Sequence, residues 1–229
     1  MPGATQPGGP AFDLAKFQSV TGKPPAALRV RAEAPMPGGL GAMKMEIAAK
    51  TTTPQSVRML TDIAVGGQAV KLEILSIGNK SWLRGEAPGQ KVDWIASTQP
   101  AGQASEYPDL VGFNPLELGG AGGMDKPFTS EGVADCLGRK CFVLSNPSEP
   151  GSNLYVDTQS YLPVLVVAPQ APGQPPFVAT IEWNVDVRID PPSGAKEVSS
   201  EEFGASMLGL MMGIMAGALG GALTPTPAR

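Results

Sequence analysis

The two cysteines of the chain, Cys136 and Cys141, are the residues whose type and spacing most clearly suit covalent chemistry. The four residues between them, Leu-Gly-Arg-Lys, suit a tight hairpin that would bring the two sulfurs together across neighbouring strands. The pattern predicts a disulfide and therefore an oxidising compartment, such as a periplasm or a cell surface. A pair of reduced, incidental thiols is the alternative. No metal site is predicted, because a zinc site would need two further cysteine or histidine ligands and the chain has none.

The residue types of the chain give little support for other kinds of catalytic chemistry. The chain contains no histidine, which removes both the commonest general base and the commonest metal ligand. It lacks a Gly-x-Ser-x-Gly motif, and the glycine-rich run at residues 119–123 has no strand and helix around it to form a dinucleotide site. A net charge of −4 gives no basic surface for nucleic acid. We therefore expect a protein that is not an enzyme, has no cofactor and binds no nucleic acid.

Most of the chain consists of short segments in which polar and apolar residues alternate. Period-two alternation is typical of a strand with one wet face and one buried face. Glycine, asparagine and proline between the segments favour an antiparallel meander of about ten strands. Such a sheet can fold into a sandwich, close into a barrel or curl around a partner. The predicted strands centre on residues 28–34, 43–47, 57–63, 70–74, 82–83, 92–95, 133–144, 153–157, 162–168 and 177–190.

The two ends of this β region differ from it in composition. Residues 1–11 are a Pro/Gly-rich leader without the features of a signal peptide, similar to the tether that follows a lipidated cysteine in an exported lipoprotein. A cytosolic protein with a flexible start fits the same residues. Residues 12–20 have the spacing of a short amphipathic helix that ends at Gly22 and Pro24. The middle segment, residues 100–127, breaks the strand pattern with prolines and glycines and is predicted to be an apolar loop or a broken helix.

Three segments of the chain resemble a known superfamily. The order of Cys141-Phe-Val-Leu144, Leu154-Tyr-Val-Asp157 and Tyr161-Leu-Pro-Val164 before a final strand resembles the closing half of LolA-like periplasmic lipoprotein carriers. The stretch from Ile189 to Val198 is similar to the ending of the mycobacterial lipid-carrying lipoproteins of that superfamily. Asn79-Lys-Ser-Trp-Leu83, followed by Trp94, is similar to their exposed aromatic pair. The resemblance covers residues 12–198 and implies a curved, unclosed antiparallel half-barrel with short helices or loops over its concave face.

The same resemblance implies an apolar groove on the concave face that accepts acyl chains. Methionine suits such a groove because its unbranched, polarisable side chain adapts to ligands of different shape. Each methylene transferred out of water contributes about 0.8 kcal/mol, so a continuous apolar face is needed to shelter a long chain. An ordinary hydrophobic core is the alternative interpretation of these residues. The predicted ligand-binding residues are Met43, Met45, Ile47, Met59, Leu72, Ile74, Trp94, Trp183 and Val185.

Residues 199–229 form an apolar C-terminal segment, uncharged from residue 203 to residue 223. Ser199 followed by Glu201 and Glu202 predicts a helix start. Small residues recur at every fourth position from Ala205, a pattern that lets two helices approach closely. Three interpretations stay open: a lid over the groove, a membrane or self-association helix, or a loosely ordered tail. The residues predicted to form the lid or association helix are Met207, Gly209, Leu210, Met211, Gly213, Ile214 and Gly217.

Two functions follow from these patterns. The first is a non-catalytic carrier of the cell envelope, periplasmic or on the cell surface, that binds a lipid or an acylated lipoprotein. The second is a structural or interaction protein of the envelope that assembles through its C-terminal helix. A membrane surface and a second copy of the chain are further candidate partners.

Overall fold

The described residues of the chain form one large β-sheet and two helices. The computed structural model describes residues 10–22, 25–35, 41–65, 68–99, 128–147, 150–170 and 172–223, although for residues 65 and 214–223 only the backbone is described. The elements in chain order are α1 (Leu14–Thr21), β1 (Ala27–Pro35), β2 (Gly41–Lys50), β3 (Ser56–Val65), β4 (Gln68–Ile77), β5 (Lys80–Ala87), β6 (Gln90–Thr98), β7 (Thr129–Cys136), β8 (Arg139–Ser145), β9 (Asn153–Asp157), β10 (Pro163–Ala168), β11 (Phe177–Trp183), β12 (Lys196–Glu197) and α2 (Ser200–Leu223).

The sheet is mainly antiparallel and is not closed into a barrel. Its strand order is β12-β6-β5-β4-β3-β2-β1-β11-β10-β9-β8-β7, so β12 and β7 lie at its two ends. The prediction of a mainly β, unclosed sheet with a C-terminal helix is confirmed. The count of about ten strands was low by two, and the pairing is not wholly antiparallel, because the two-residue strand β12 runs parallel to β6.

The strand register gives the sheet one apolar face, which both helices cover and which we call the helix face. Directly paired residues on seven neighbouring strands form one apolar row across it. Because successive side chains of a strand point to opposite faces, the residues next to the row in each strand face the other way, and that side combines charged side chains with two apolar clusters. We call that side the opposite face. The row consists of Ile181, Val30, Ile47, Met59, Ile74, Leu83 and Ile95.

The alternating segment after residue 177 is not one strand, which corrects the prediction for residues 177–190. Strand β11 ends at Trp183, and Asn184 adopts a left-handed backbone with φ 53°. Its amide donates to Ala27 O at 2.7 Å and its side-chain oxygen accepts from Ala26 N at 3.2 Å. The chain then crosses the opposite face, where Val187 packs in an apolar cluster, before it forms β12. We call residues 184–195 the crossover.

Both helices begin at residues that cap their first amides. Asp13 accepts a hydrogen bond from Lys16 N at 3.0 Å and caps α1, which ends at Gly22 as predicted. Ser199 accepts from Glu202 N at 3.1 Å and caps α2. Oxygen side chains at this position satisfy amides that have no partner within the helix. The structure therefore confirms the helix start predicted at Ser199.

A disulfide joins the strands of the β7–β8 hairpin, as predicted. The Cα atoms of Cys136 and Cys141 are 6.0 Å apart, and both side chains are buried in an apolar cluster on the opposite face. The turn residues Leu137 and Gly138 have φ angles of 47° and 76°. Two positive φ angles match the twist of a two-residue hairpin, which is why a glycine follows Leu137.

Two predictions made from the sequence fall wholly or mostly outside the described residues. They are the leader of residues 1–11, described only for residues 10 and 11, and the loop or broken helix of residues 100–127.

Candidate functional site

Seven of the nine predicted ligand-binding residues lie on the helix face, and two do not. Trp94 and Val185 pack against the apolar cluster under the crossover, on the opposite face. A β-bulge between Leu83 and Gly85, opposite Val92 and Ile95, gives β6 an additional residue and turns Trp94 away from the helices. Val185 lies beyond the left-handed Asn184 and no longer follows the alternation of β11. The seven on the helix face are Met43, Met45, Ile47, Met59, Leu72, Ile74 and Trp183.

These seven residues are divided between two apolar clusters, each named here for the helix that covers it. The α1 cluster contains Phe17 of α1, with residues of β1–β3 and β7–β11, Tyr161 and, packed against it, Met45 and Trp183. The α2 cluster contains Phe203 and Leu210 of α2 and the helix-facing side chains of β3–β6, with Met43 packed against it. Met59 packs against both clusters. It therefore marks the boundary between the parts of the sheet that the two helices cover.

Three methionines at this boundary are only partly buried, as is Thr61, the cross-strand partner of Met45, although the other apolar side chains of the two clusters around them are mostly buried. Met43 and Met45 of β2 and Met59 of β3 form this set, which we call the methionine strip. Ile47, which is paired with Met59, is 2% exposed. Flexible side chains with incomplete cover in the middle of an apolar face are the ones most able to admit another apolar group. The methionine strip is therefore our candidate site.

Helix α1 is fixed to the sheet by aromatic rings. Phe12 lies 5.5 Å from Phe17, 5.3 Å from Phe142 and 6.0 Å from Tyr161, measured between ring centroids. The ammonium of Lys16 lies 4.1 Å from the centroid of Tyr161. Aromatic pairs in these geometries add to the stabilisation that burial gives. Helix α1 is thus a firmly attached part of the core.

Helix α2 is attached to the sheet differently, through close contacts at glycine residues. Leu210 is fully buried, and a Cβ atom at Gly85 of β5 would be 2.6 Å from its Cδ1 atom. A Cβ atom at Gly213 would be 2.7 Å from the Cβ of Ala87, and one at Gly209 would be 2.6 Å from the side-chain nitrogen of Gln90. The small-residue side of α2 therefore packs on the β5–β6 hairpin of its own chain.

The remaining residues predicted for α2 are distributed around the helix. Met207 is half-buried against the α2 cluster, while Met211 is 50% exposed. Only part of the bulky side of α2 therefore packs on the sheet. The side chains of Ile214 and Gly217 lie outside the described part of the helix. Sequence reasoning missed Gly85, although a glycine inside a strand is a signal for a close approach of another group.

The opposite face carries charged side chains and shallow cavities. Glu73 is only 7% exposed and accepts from Arg58 Nε at 2.7 Å and Arg84 Nε at 2.6 Å. A cavity of about 580 Å³ beside this cluster is lined by Asp62, Lys71, Arg84 and other residues. A second cavity, of about 420 Å³, shares Leu60 and Asp62 with it, and a third, of about 610 Å³, lies further along the face at β10 and β11. Of the predicted ligand-binding residues, the three cavities touch Met45, Leu72, Trp94, Trp183 and Val185.

The electrostatics of the described residues show no arrangement built for proton transfer. Asp157 accepts from Ser160 N at 2.7 Å and Gln159 N at 3.0 Å, and Arg139 lies 3.7 Å away. Burial of the carboxyl disfavours its charge, but the hydrogen bonds from Ser160 and Gln159 and the charge of Arg139 outweigh it and lower the pKa of Asp157. Burial raises the pKa of Tyr155. Both groups stabilise a loop or a core rather than face the methionine strip.

Two other kinds of site, a metal centre and a membrane-spanning helix, are absent from the described ranges. No group of three or more cysteine, aspartate and glutamate side chains is arranged to hold a metal ion. No helix there has both the length and the apolar character needed to cross a membrane.

The backbone is similar to two solved structures, both at low sequence identity. LprF from Mycobacterium bovis matches with a TM-score of 0.49 and 15% identity, over 78% of this chain and 94% of LprF. The MucA/MucB complex from Pseudomonas aeruginosa matches with a TM-score of 0.38 and 11% identity, over 76% of this chain and 57% of the matched chain. No family model and no curated protein sequence matches the chain. The relationship to the LolA-like superfamily therefore stays a prediction.

Proposed function

We propose that the protein is a non-catalytic carrier of the cell envelope that shelters the acyl chains of a lipid or an acylated lipoprotein. The acyl chain lies along the methionine strip and extends under α2, which acts as a lid. The observation that carries this proposal is the incomplete cover of Met43, Met45 and Met59 between two helix-covered clusters.

The energetic requirement of a carrier favours this face over the opposite one. A chain of a dozen methylenes needs on the order of 10 kcal/mol of apolar shelter to leave a bilayer. The apolar row from Ile181 to Ile95 provides continuous hydrocarbon contact across seven strands. The cavities of the opposite face have charged side chains in their walls, including the ion pair of Glu73 with Arg84, so an acyl chain there would meet charges instead.

The difference between the two helices supports α2 as the part that moves. Phe17 of α1 belongs to a group of four stacked or edge-packed aromatic rings. Helix α2 packs Phe203, Met207 and Leu210 against the apolar side chains of the α2 cluster. An acyl chain offers the same kind of contact and can replace them when the helix lifts.

An oxidising compartment agrees with the disulfide between Cys136 and Cys141. Such bonds persist in exported proteins and are rare in the cytosol. We therefore assign the protein to the periplasm or the cell surface.

The proposal is tested by substitutions that keep the shape of the methionines but add a polar amide. Met45→Gln and Met59→Gln should each weaken the binding of a fluorescent fatty acid by roughly tenfold, because each places an amide against the hydrocarbon. Met212→Gln is the matched control, since Met212 is 58% exposed and lies outside both clusters. Equal affinity in all three variants would contradict the proposal.

The alternative of an envelope protein that assembles through the small residues of α2 has less support. Gly209 and Gly213 already pack on Gln90 and Ala87 of their own chain. A second helix could reach this surface only if α2 first left the sheet.

A further inference from the structure

Helix α2 exposes an apolar stripe on the side that points away from the sheet. Leu208 is 62% exposed, Met211 50% and Met212 58%. Residues three and four positions apart are neighbours on a helix surface, so these three side chains form one patch, which we call the outer stripe. Large exposed apolar patches on a soluble domain mark a surface that contacts a partner.

We infer that the outer stripe docks α2 on the surface of a lipid bilayer, from which the acyl chain enters the site. This inference rests on the proposed function, because it names the source of the lipid and the surface that meets it. The chemistry of the stripe is that of hydrocarbon: the sequence from residue 203 to residue 223 carries no charge. Binding of a helix to the interfacial region of a membrane increases with the apolar area that it buries there, and the outer stripe supplies that area.

The packing of α2 argues against a second copy of the chain as the occupant. Close helix pairing uses small residues, and the small-residue side at Gly209 and Gly213 is already buried on the β5–β6 hairpin. Two of the three side chains of the outer stripe are methionines, whose flexible side chains fix the register of a partner helix poorly. In a parallel pair, Glu201 and Glu202 of the two first turns would repel each other.

The charges of the protein indicate which bilayer surface it meets. The chain has a net charge of −4, and Glu201 and Glu202 lie in the first turn of α2. Binding through the stripe therefore needs no anionic lipid and changes little with salt, unlike binding through a basic surface.

The same contact explains how the lid would open. The stripe and Leu210 lie on the same helix, so insertion of Leu208 and Met212 into a bilayer gives α2 a second apolar environment. Movement of Leu210 away from Gly85 then exposes the α2 cluster and the methionine strip to the lipid.

The test is flotation of the full chain with neutral phosphatidylcholine vesicles. The parent protein should float with the vesicles at low and high salt, and the double variant Leu208→Gln with Met212→Gln should lower the bound fraction at least about tenfold. Leu137→Gln is the control, because Leu137 is equally exposed, at 53%, but lies on the β7–β8 turn. Absence of flotation, or equal flotation of parent and double variant, overturns the inference.

Two further measurements separate this inference from the proposed function. Binding of a soluble fluorescent fatty acid without vesicles should be the same in the parent and the double variant. If both proteins bind the fatty acid and neither floats with vesicles, the inference of bilayer docking is wrong and the proposed carrier function is kept. If neither protein binds the fatty acid while only the parent floats with vesicles, the inference of bilayer docking is kept and the proposed carrier function is wrong. A parent dimer in sedimentation that the double variant abolishes would identify a second copy as the occupant and overturn the inference.

Discussion

Leu210 of α2 fills the space that a side chain at Gly85 of β5 would occupy. A Cβ atom at Gly85 would lie 2.6 Å from Leu210 Cδ1, and Leu210 has no exposed surface. This contact joins the C-terminal helix to the centre of the α2 cluster. It therefore decides how firmly α2 covers the apolar face and whether another apolar group can take its place.

Leu210→Ala should loosen α2 without changing the sheet. Loss of a buried leucine side chain costs about 2–5 kcal/mol where the site cannot collapse, and here the cost falls on the attachment of the helix. We expect α2 to become more sensitive to protease and the uptake of a fluorescent fatty acid to become faster. Stopped-flow fluorescence measures the uptake.

Gly204→Ala is the control for that experiment. Gly204 lies in the same helix, and no atom lies within 4 Å of the position its Cβ would take. Alanine favours the helix over glycine by about 1 kcal/mol, so the variant should be as stable or more stable. Its uptake rate should equal that of the parent; equal rates for Leu210→Ala as well would mean that α2 does not limit access.

Gly213→Leu distinguishes the lid from the assembly helix. A Cβ at Gly213 would be 2.7 Å from the Cβ of Ala87, so a leucine must push α2 away from the β5–β6 hairpin. We expect faster fatty-acid uptake and no loss of self-association in sedimentation experiments. An assembly helix predicts the reverse, namely association of the parent chain that the variant abolishes.

Replacement of both Cys136 and Cys141 by serine should lower stability without affecting the site. The bond closes a short loop, which in the chain-entropy model stabilises the fold by roughly 2 kcal/mol. Chemical denaturation should show this loss in the variant, and a reducing agent should destabilise the parent but not the variant. Fatty-acid affinity should stay unchanged, because the disulfide lies on the opposite face.

Asp157→Asn should destabilise the protein at neutral pH but not in strong acid. The hydrogen bonds that lower the pKa of Asp157 favour its charged form in the folded state. A folded pKa below the unfolded one gives stability that is present above the unfolded value and is lost as pH falls through the folded one. We expect a loss of about 1 kcal/mol at pH 7 that shrinks towards zero near pH 2. Denaturant unfolding at several pH values measures it, and a constant difference would contradict the assignment.

The sequence predicted the faces of the strands well wherever alternation continued without interruption. Val30, Ile47, Met59, Ile74 and Leu83 follow strict period two within their strands and pair in one row of the sheet. Each of these strands pairs with neighbours on both sides. Such strands are the ones for which alternation alone fixes the buried face.

Trp94 and Val185 lie on the opposite face, for reasons that the alternation of polar and apolar residues cannot predict. Trp94 lies within a β-bulge of β6, between Val92 and Ile95. The additional residue there changes the face to which the next side chains of β6 point. Val185 follows Asn184, a residue type that tolerates the left-handed backbone, and an extended crossover alternates as regularly as a strand. Both features depend on how neighbouring strands meet and leave no periodic signal in the chain itself.

The sequence predicted that α2 makes a close contact, but it did not predict which element α2 contacts. Small residues at every fourth position predicted a close approach by α2, but they match a neighbouring helix and a hairpin equally well. The choice of the hairpin depends on Gly85 and Ala87, which lie more than 100 residues earlier in the chain.

The most direct test of the carrier is the composition of the purified full chain. Native mass spectrometry, followed by organic extraction, should find about one acylated lipid for each protein molecule, and Met45→Gln with Met59→Gln should lower that occupancy while Leu137→Gln, on the exposed β7–β8 turn, keeps it. A folded parent protein that carries no lipid and does not take up a fluorescent fatty acid would contradict the account.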